Sequence, residues 1–184
     1  MKKVSILFAF GALISCSDAN VHVKEEMDDV VEQKRAEVVL QSLPDRENVG
    51  KVIFEERNDS VMMKAKVEGI LPNGFHAFHI HENGDCSADD GKSAGGHWNP
   101  TNEAHGMWNS EEHHRGDIGN IITDSLGIGE LSIITDKWCI SCDDTTKNIV
   151  GKAIIIHEGG DDFRSQPSGA AGPRVACGEI VEIE

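Results

Sequence analysis

The chain contains no tyrosine, and its aromatic residues, three Trp and six Phe, make up only 5% of 184 residues. So few flat side chains argue against a platform on which nucleobases or sugar rings stack. The 5 prolines and 19 glycines are too few for a low-complexity chain, but they suffice for a domain rich in turns. The length fits one domain, with room for a terminal tail.

Basic residues are also scarce, because 17 Lys and Arg stand against 32 Asp and Glu, which gives a formal net charge of -15. An acidic surface repels the phosphate backbone of nucleic acids. The sequence also has no polybasic patch that would attract anionic lipids. We therefore expect no nucleic-acid partner and no membrane contact through basic side chains.

No apolar run reaches the roughly 20 residues that a helix needs to cross a bilayer. The apolar segment 4–14 follows two lysines and ends in Leu-Ile-Ser-Cys16, which is the layout of a signal peptide. This ending resembles the lipobox of bacterial lipoproteins, in which the cysteine is lipidated. We predict a signal peptide over residues 1–15 and a lipidated Cys16 that anchors the protein in the cell envelope, facing the periplasm. The alternative is an ordinary secretory signal cleaved nearby, and both alternatives predict export.

The remainder of the chain divides into a polar tether and a β-rich domain. Residues 16–36 are mostly polar and acidic, which is typical of a solvated linker. From residue 37 to residue 184, short runs rich in β-formers alternate with turn residues, and no amphipathic stretch of helical length follows. This pattern predicts an all-β sandwich or barrel. The eight predicted strands are residues 37–42, 50–56, 61–67, 75–81, 119–123, 128–135, 150–157 and 175–182.

If the protein is exported, its five cysteines can form disulfides, because disulfides persist in oxidising compartments. If Cys16 carries lipid, four cysteines are left to pair. Cys139 and Cys142 form a CxxC motif that could be a redox or a zinc pair, but no βαβ pattern surrounds it and the chain has no second CxxC. We favour a local structural disulfide. Cys86 and Cys177 would then close a loop of about 90 residues, which stabilises the fold by about 4 to 5 kcal/mol in the loop-entropy model.

Histidines are concentrated around the one long segment without a strand pattern, residues 82–117. Seven of the nine fall between positions 76 and 114. A loop of this length in a compact domain is either disordered or functional. Period-two alternation places His79 and His81 on one strand face, about 7 Å apart, where both can converge on one metal ion. His76 lies on the opposite face.

Further metal-ligating side chains follow along the chain: His97 and His105 in the long segment, then His114 with Asp117, then His157 at the end of an apolar run. Imidazoles with a carboxylate and no nearby thiolate suit zinc or copper rather than a hard cation. The sequence therefore predicts a site for a transition metal. We expect the three remaining histidines to be surface or core residues: His22, His76 and His113.

Five separated segments, in the same order, resemble the copper/zinc superoxide dismutases of the secreted bacterial type, over about residues 36 to 184. They are GFHAFHIHENGDC (74–86), GGHWNPTNEAHG (95–106), HRGDIGN (114–120), HEGGDD (157–162) and GPRVACG (172–178). The resemblance implies an eight-stranded antiparallel Greek-key sandwich or flattened barrel with long metal-binding loops. It also implies that superoxide is dismutated to dioxygen and hydrogen peroxide by a copper redox cycle, beside a structural zinc.

The same resemblance assigns ligands to both metals. Copper would be held by His79, His81, His97 and His157. Zinc would be held by His97, His105, His114 and Asp117. His97 would then bridge the metals as an imidazolate and deliver a proton during turnover. Three nitrogens and one carboxylate make a closed tetrahedral zinc site, which is typical of a structural metal.

Three more positions match residues with family functions. Arg174 is expected to bind the superoxide anion through its permanent positive charge. Asp161 matches an acid that hydrogen-bonds one copper histidine and one zinc histidine together. Cys86 and Cys177 match the disulfide of the family.

The chain departs from the family pattern in two places. Residues 161–173 form a shorter segment than in the eukaryotic enzymes and lack their lysines, so that Arg164 is the sole candidate there for attracting substrate. The CxxC motif at Cys139 and Cys142 has no counterpart. Subunit contacts differ between eukaryotic and bacterial members, so the resemblance leaves open whether the chain forms a homodimer.

Two other functions are alternatives to dismutation. A non-catalytic copper/zinc-binding or copper-delivery domain on the same fold would need the same ligands, but neither Arg174 nor a bridging His97. A metallo-hydrolase of the HxHxDH type fails, because Asn83 and Gly84 stand where that motif needs Asp and His.

Overall fold

The computed structural model describes residues 33–184. The predicted signal peptide, Cys16 with its predicted lipidation, His22 and most of the predicted tether lie outside the described residues. Within them, the one helical element is a short 3-10 turn at Lys92–Ala94, and no helix is long and apolar enough to cross a membrane.

In the described part of the chain, nine antiparallel strands form a nearly closed barrel, which confirms the predicted all-β fold. The strands are β1 (Arg35–Ser42), β2 (Asn48–Arg57), β3 (Ser60–Val67), β4 (Phe75–His81), β5 (Asp117–Ile122), β6 (Gly129–Thr135), β7 (Ala153–His157), β8 (Arg174–Glu179) and β9 (Val181–Ile183).

The strand order around the barrel is β5-β4-β7-β8-β1-β2-β3-β6, with β9 pairing the start of β1. The two ends of this order meet at a bridge between Thr123 and Gly129, which nearly closes the barrel. The connections from β3 to β4 and from β6 to β7 pass over intervening strands instead of joining neighbours. This is the Greek-key connectivity that the resemblance implied.

Alternation of side chains along each strand builds the core. In β3, Val61, Met63 and Val67 are fully buried, whereas Lys64 and Lys66 face solvent. The interior is filled by large side chains such as Phe54 and other fully buried apolar residues. Burying each large apolar side chain contributes roughly 1.5–3 kcal/mol, so that this interior holds the strands on which the histidines stand.

The last two predicted strands have different bounds in the structure. The predicted strand 175–182 is divided at Ile180, whose N–H donates to the carbonyl of Lys152 and whose carbonyl accepts from Gly151. β8 therefore pairs with β7, while β9 returns to β1. β7 begins at Ala153 rather than at residue 150, because the chain turns just before it, with Lys152 N–H donating to Ile149.

β4 is buried on both faces, and this positions the site. Phe78 and Ile80 belong to the hydrophobic core. His79 and His81 alternate with them and therefore lie on the opposite face, where they are 0% and 1% exposed. Two long connections cover this outer face: the first loop, residues 82–116, and the second loop, residues 158–173. As predicted, residues 82–116 contain no strand, but Asp117, the last residue of the predicted strand-free segment, begins β5.

Candidate metal centre

Two groups of metal-ligating side chains meet on the outer face of β4. In each group, one ligand atom per residue lies within 4.8 Å of the others, and every member is buried. The first group comprises His79, His81, His97 and His157; the second comprises His97, His105, His114 and Asp117. His97 belongs to both groups. The structure thus brings together the residues that the sequence proposed as ligands of two metals.

The first group presents four ring nitrogens that are buried without a hydrogen-bond partner: Nδ1 of His79 and Nε2 of His81, His97 and His157. A buried polar atom left unpaired costs about 1–3 kcal/mol, so that four of them at one point need a ligand. The donor set is entirely imidazole, which copper favours. These residues fit a copper ion.

The second group surrounds the carboxylate of Asp117. Its Oδ1 lies 2.7 Å from His97 Nδ1 and 3.2 Å from His114 Nδ1, while its Oδ2 lies 3.0 Å from His105 Nδ1. The Nδ1 atoms of His105 and His114 are buried and close to this carboxylate, but they are not aligned for a hydrogen bond. Three nitrogens and one carboxylate oxygen therefore converge, and this donor set fits a tetrahedral zinc ion.

Backbone carbonyls orient two rings of the first group, those of His81 and His157, through the ring nitrogen that faces away from the group. His81 Nδ1 lies 3.0 Å from the carbonyl of Gly95, and His157 Nδ1 lies 3.0 Å from the carbonyl of Gly172. Each carbonyl accepts the proton of Nδ1, which leaves the lone pair on Nε2. The two loops therefore select the tautomer in which Nε2 is free to coordinate.

Asp161 links the two groups through its side chain, which is 0% exposed. Its Oδ2 lies 2.8 Å from His79 Nε2, and its Oδ1 lies 2.9 Å from His105 Nε2. One carboxylate thus holds a histidine of each group by the nitrogen that faces away from its metal site. This is the geometry that the resemblance implied for Asp161.

Two residues that the sequence analysis missed support Asp161. The Asn120 side chain accepts from the Asp161 N–H at 2.7 Å and donates to its carbonyl at 3.0 Å. Gly169 packs against the carboxylate with φ of 64°, and a Cβ at this position would overlap Asp161 and His105. No spacing rule marks a left-handed glycine in this loop, so only the folded loops show its function.

Burial determines the protonation of the first group. It lowers the pKa of His79 to about 3 and that of His157 to about 4, and it lowers the pKa of His81 well below its ordinary range. Burial likewise lowers the pKa of His97. Neutral imidazoles keep a lone pair available for a metal at pH 7.

The second group has the opposite electrostatics. Burial opposes protonation of His105, but the carboxylates of Asp117 and Asp161 beside its ring outweigh this and raise its pKa to about 9. Burial also raises the pKa of Asp117 and Asp161, but the neighbouring histidines, with His105 first, outweigh it and lower both. Both carboxylates are therefore ionised, and they are the anionic part of the centre.

Arg174 opens β8 directly opposite His157, the last residue of β7. Its Nη1 donates to the carbonyl of Gly91 and its Nη2 to the carbonyl of Gly95, both at 2.6 Å. Besides burial, its charge contributes to the lowered pKa of His81 and His157, so that it lies beside the first group. A guanidinium has five N–H donors, and the two carbonyls leave donors for an anion.

Two disulfides are present among the described residues, with the pairing predicted from the sequence. Cys86, in the first loop, is bonded to Cys177 in β8, with a Cα–Cα distance of 5.8 Å. This bond ties the loop that holds Arg174 to the strand that carries it. Cys139 and Cys142 are bonded to each other, on the connection between β6 and β7.

The two described histidines that were predicted not to be ligands lie in neither group. His76 Nε2 lies 2.8 Å from the carbonyl of Leu71, and its Nδ1 lies 2.9 Å from that of Glu158. His113 Nε2 is 3.0 Å from Lys137 Nζ. Arg164 is exposed on the second loop.

Comparison with known proteins identifies the family of this chain. The family described as copper/zinc superoxide dismutase (SODC) matches residues 48–180. "Superoxide dismutase [Cu-Zn] 2" of Aquifex aeolicus (strain VF5) is 41% identical over 138 residues, 73% of this chain and 80% of that protein. "Superoxide dismutase [Cu-Zn]" of Caulobacter vibrioides is 34% identical over 140 residues, 74% of this chain and 80% of that protein.

Among solved structures, a double mutant of a SOD-like protein from Bacillus subtilis superposes with a TM-score of 0.72 and 33% identity. The match covers 79% of this chain and 96% of that one. The fold, the paired ligand groups and the sequence matches agree, and the chain belongs to the copper/zinc superoxide dismutase family, with superoxide as its substrate and copper and zinc as its metals.

Proposed function

We propose that the two ligand groups divide the metals between them. His79, His81, His97 and His157 hold copper, and His97, His105, His114 and Asp117 hold zinc. The observation that carries this proposal is the orientation of His97. Its Nδ1 faces Asp117 in the second group, and its Nε2 is buried and unpaired in the first. One imidazole with a nitrogen in each group can serve two ions at once.

When bound, copper supplies the one-electron exchange by which two superoxide ions and two protons become dioxygen and hydrogen peroxide. In our proposal, His97 handles one of these protons at Nε2. Nδ1, on the opposite side of the ring, faces the second group, so that Nε2 can gain and lose a proton without a change at Nδ1. The proton is then given to the peroxide as it forms.

Arg174 binds the superoxide anion in this proposal. Its guanidinium is held by two carbonyls beside the first group, and it has free N–H donors and a permanent charge. The chain as a whole carries a formal net charge of -15, which repels an anion on average. A fixed positive charge next to the reacting site is therefore needed to attract the substrate locally.

A copper-delivery domain is not favoured as the function. Such a domain needs a site for copper, but it needs neither a histidine shared with a second group nor an anion-binding guanidinium beside the first. A histidine shared by the two groups and a guanidinium held beside the first are present here, and the relatives are named as dismutases.

We also propose that the protein is exported and lipid-anchored, with a signal peptide over residues 1–15, lipidation at Cys16, a tether over residues 16–36 and the dismutase domain over residues 37–184. Support comes from the leader sequence and from the two disulfides, which are typical of oxidising compartments. A 35% identical relative from Caenorhabditis elegans is named an extracellular superoxide dismutase.

The division of metals is tested by removing one ligand at a time and measuring bound metal in the purified protein. His157→Ala should lose copper and keep zinc, because His157 belongs to the first group alone. His114→Ala should lose zinc and keep copper. The matched control is His113→Ala, which removes the neighbouring buried histidine that lies in neither group and should keep both metals. Loss of the same metal from both ligand variants would overturn the assignment.

A further inference from the structure

Gln166 connects the two loops by hydrogen bonds to a single residue of the metal centre. Its Oε1 accepts from the His105 N–H at 2.9 Å, and its Nε2 donates to the His105 carbonyl at 2.9 Å. Gln166 is in the second loop and His105 is in the first, 61 positions away in sequence. One amide side chain therefore holds both backbone polar groups of His105, a histidine of the second group.

The ring of the same residue is held separately. Asp161 Oδ1 lies 2.9 Å from His105 Nε2, and Asp117 Oδ2 lies 3.0 Å from its Nδ1. With the backbone fixed at the N–H and carbonyl, and the ring fixed at Nε2, the position of Nδ1 is determined. Nδ1 then points into the second group without any need for the metal to order it.

A tight turn presents Gln166 to the first loop. The Asp162 side chain accepts from the backbone N–H groups of Arg164 and Ser165, at 2.9 Å and 2.8 Å. The Gly169 N–H donates to the Ser165 carbonyl at 2.7 Å, which closes the turn around Gln166. The bonds within this turn involve residues of the second loop alone, so the turn does not depend on metal binding.

Asn120 makes the same kind of contact with Asp161, the residue that bonds the His105 ring. It bonds the N–H and the carbonyl of Asp161, just as Gln166 bonds those of His105. Two amide side chains thus fix the backbones of the two residues that bond each other across the loops. The repetition of this contact indicates that both residues hold the centre in position rather than fill a gap on the surface.

We propose that Gln166 is a positioning residue for zinc, which presets His105 and keeps the second loop closed over the second group. The proposal rests on the assignment of zinc to that group. Among the described residues, no hydrogen bond of Gln166 reaches a member of the first group, so its effect falls on zinc and not on copper. Residues that orient a ligand typically contribute about 10- to 100-fold to metal affinity.

The test compares three variants as purified metal-free proteins. Gln166→Ala removes both bonds, and Gln166→Glu keeps the acceptor for the His105 N–H but loses the donor to the carbonyl. Ser168→Ala is the control in the same loop, because the Ser168 side chain makes no hydrogen bond among the described residues. Zinc affinity is measured by competition with a chelator, and the ligand geometry by the visible absorption of Co²⁺ bound in place of zinc.

We expect zinc affinity to fall about 10- to 100-fold in Gln166→Ala and less in Gln166→Glu, with Ser168→Ala at the wild-type value. The Co²⁺ spectrum should change in the same order, while copper affinity stays constant. A wild-type zinc affinity in Gln166→Ala and Gln166→Glu would overturn the proposal, and so would an equal loss of copper. If His114→Ala leaves the zinc affinity of the wild type unchanged, the zinc assignment itself is wrong, and this outcome is distinct from a failure at Gln166.

Discussion

His97 and Asp117 make the contact on which the division into two metal sites depends. Nδ1 of His97 lies 2.7 Å from Oδ1 of Asp117, and the opposite nitrogen, Nε2, is buried without a partner among the imidazoles of the first group. The ring is therefore fixed from one side and available from the other. A histidine in this position can link two ions whose remaining ligands come from different parts of the chain.

Removal of this ring should uncouple the two metals. We expect His97→Ala to lower the superoxide removal rate about 10-fold or more, because both groups lose a donor atom. The Cys86–Cys177 disulfide should still form, since the barrel and the first loop are retained. The rate is measured on the purified protein, with mass analysis of non-reduced peptides as the control for folding. An unchanged rate would rule out the shared function of His97.

Arg174→Ile should lower the rate constant for superoxide without emptying either metal group, because we propose that the guanidinium binds the substrate rather than a metal. The rate constant of Arg174→Lys should lie between those of the wild type and Arg174→Ile. Lysine keeps the charge but loses the planar fork that bonds Gly91 and Gly95. Rate and metal content are measured on the same samples. Loss of copper from Arg174→Ile would mean that the side chain supports the site and does not act on the substrate.

Zinc binding to the metal-free protein should depend on pH between 7 and 9 through His105, whereas His79 and His157 should add no pH dependence to copper binding in this range. The pKa of His105 is raised to about 9 in the metal-free fold, so zinc must displace a proton from it below that pH. The pKa of His79 and that of His157 are lowered to about 3 and about 4, so these rings are already neutral.

The direction of the pH dependence follows from the raised pKa of His105. Protonated His105 stabilises the metal-free fold fully below the ordinary pKa of 6.5, and this stabilisation is lost as the pH rises through about 9. Apparent zinc affinity should therefore increase by up to about tenfold per pH unit between pH 7 and pH 9, with release of about one proton per ion. Titration calorimetry in buffers of different ionisation enthalpy measures this proton. A zinc affinity that is flat across this range would contradict the assigned ion pairs of His105.

The two disulfides should contribute unequally to stability. The Cys86–Cys177 bond joins residues 91 apart, whereas Cys139 and Cys142 are 3 apart. In the loop-entropy model these correspond to about 4 to 5 kcal/mol and about 2 kcal/mol. Replacing each pair by serines and measuring the free energy of unfolding should show the larger loss for the long loop. Free thiols at Cys139 and Cys142 in the purified protein would show that the shorter bond does not form.

Local rules predict part of this molecule. Strand alternation alone placed His79 and His81 on one face, because a β-strand has a period of two whatever its surroundings. It could not predict that residues 82–116 fold back over that face and bring His97 to His79. That expectation came from the resemblance, since the five matched segments include every residue of both groups.

Other features had no signal in the sequence. Gln166 lies in a loop and Asn120 in β5, and each bonds backbone groups of a residue in a distant segment. No local pattern shows which amide side chain makes such a contact. The division of the last strand at Ile180 was missed because the apolar pattern continues through β8 and β9. It is the hydrogen bonds from Ile180 to Gly151 and Lys152 that separate the two strands.

The most direct test of the account is the metal content of the purified mature protein, measured together with its superoxide removal rate before and after chelation. We predict one copper and one zinc per chain, and a rate that chelation abolishes and that the two metals together restore. A protein that holds both metals without removing superoxide, or one whose activity survives the loss of copper, would contradict it.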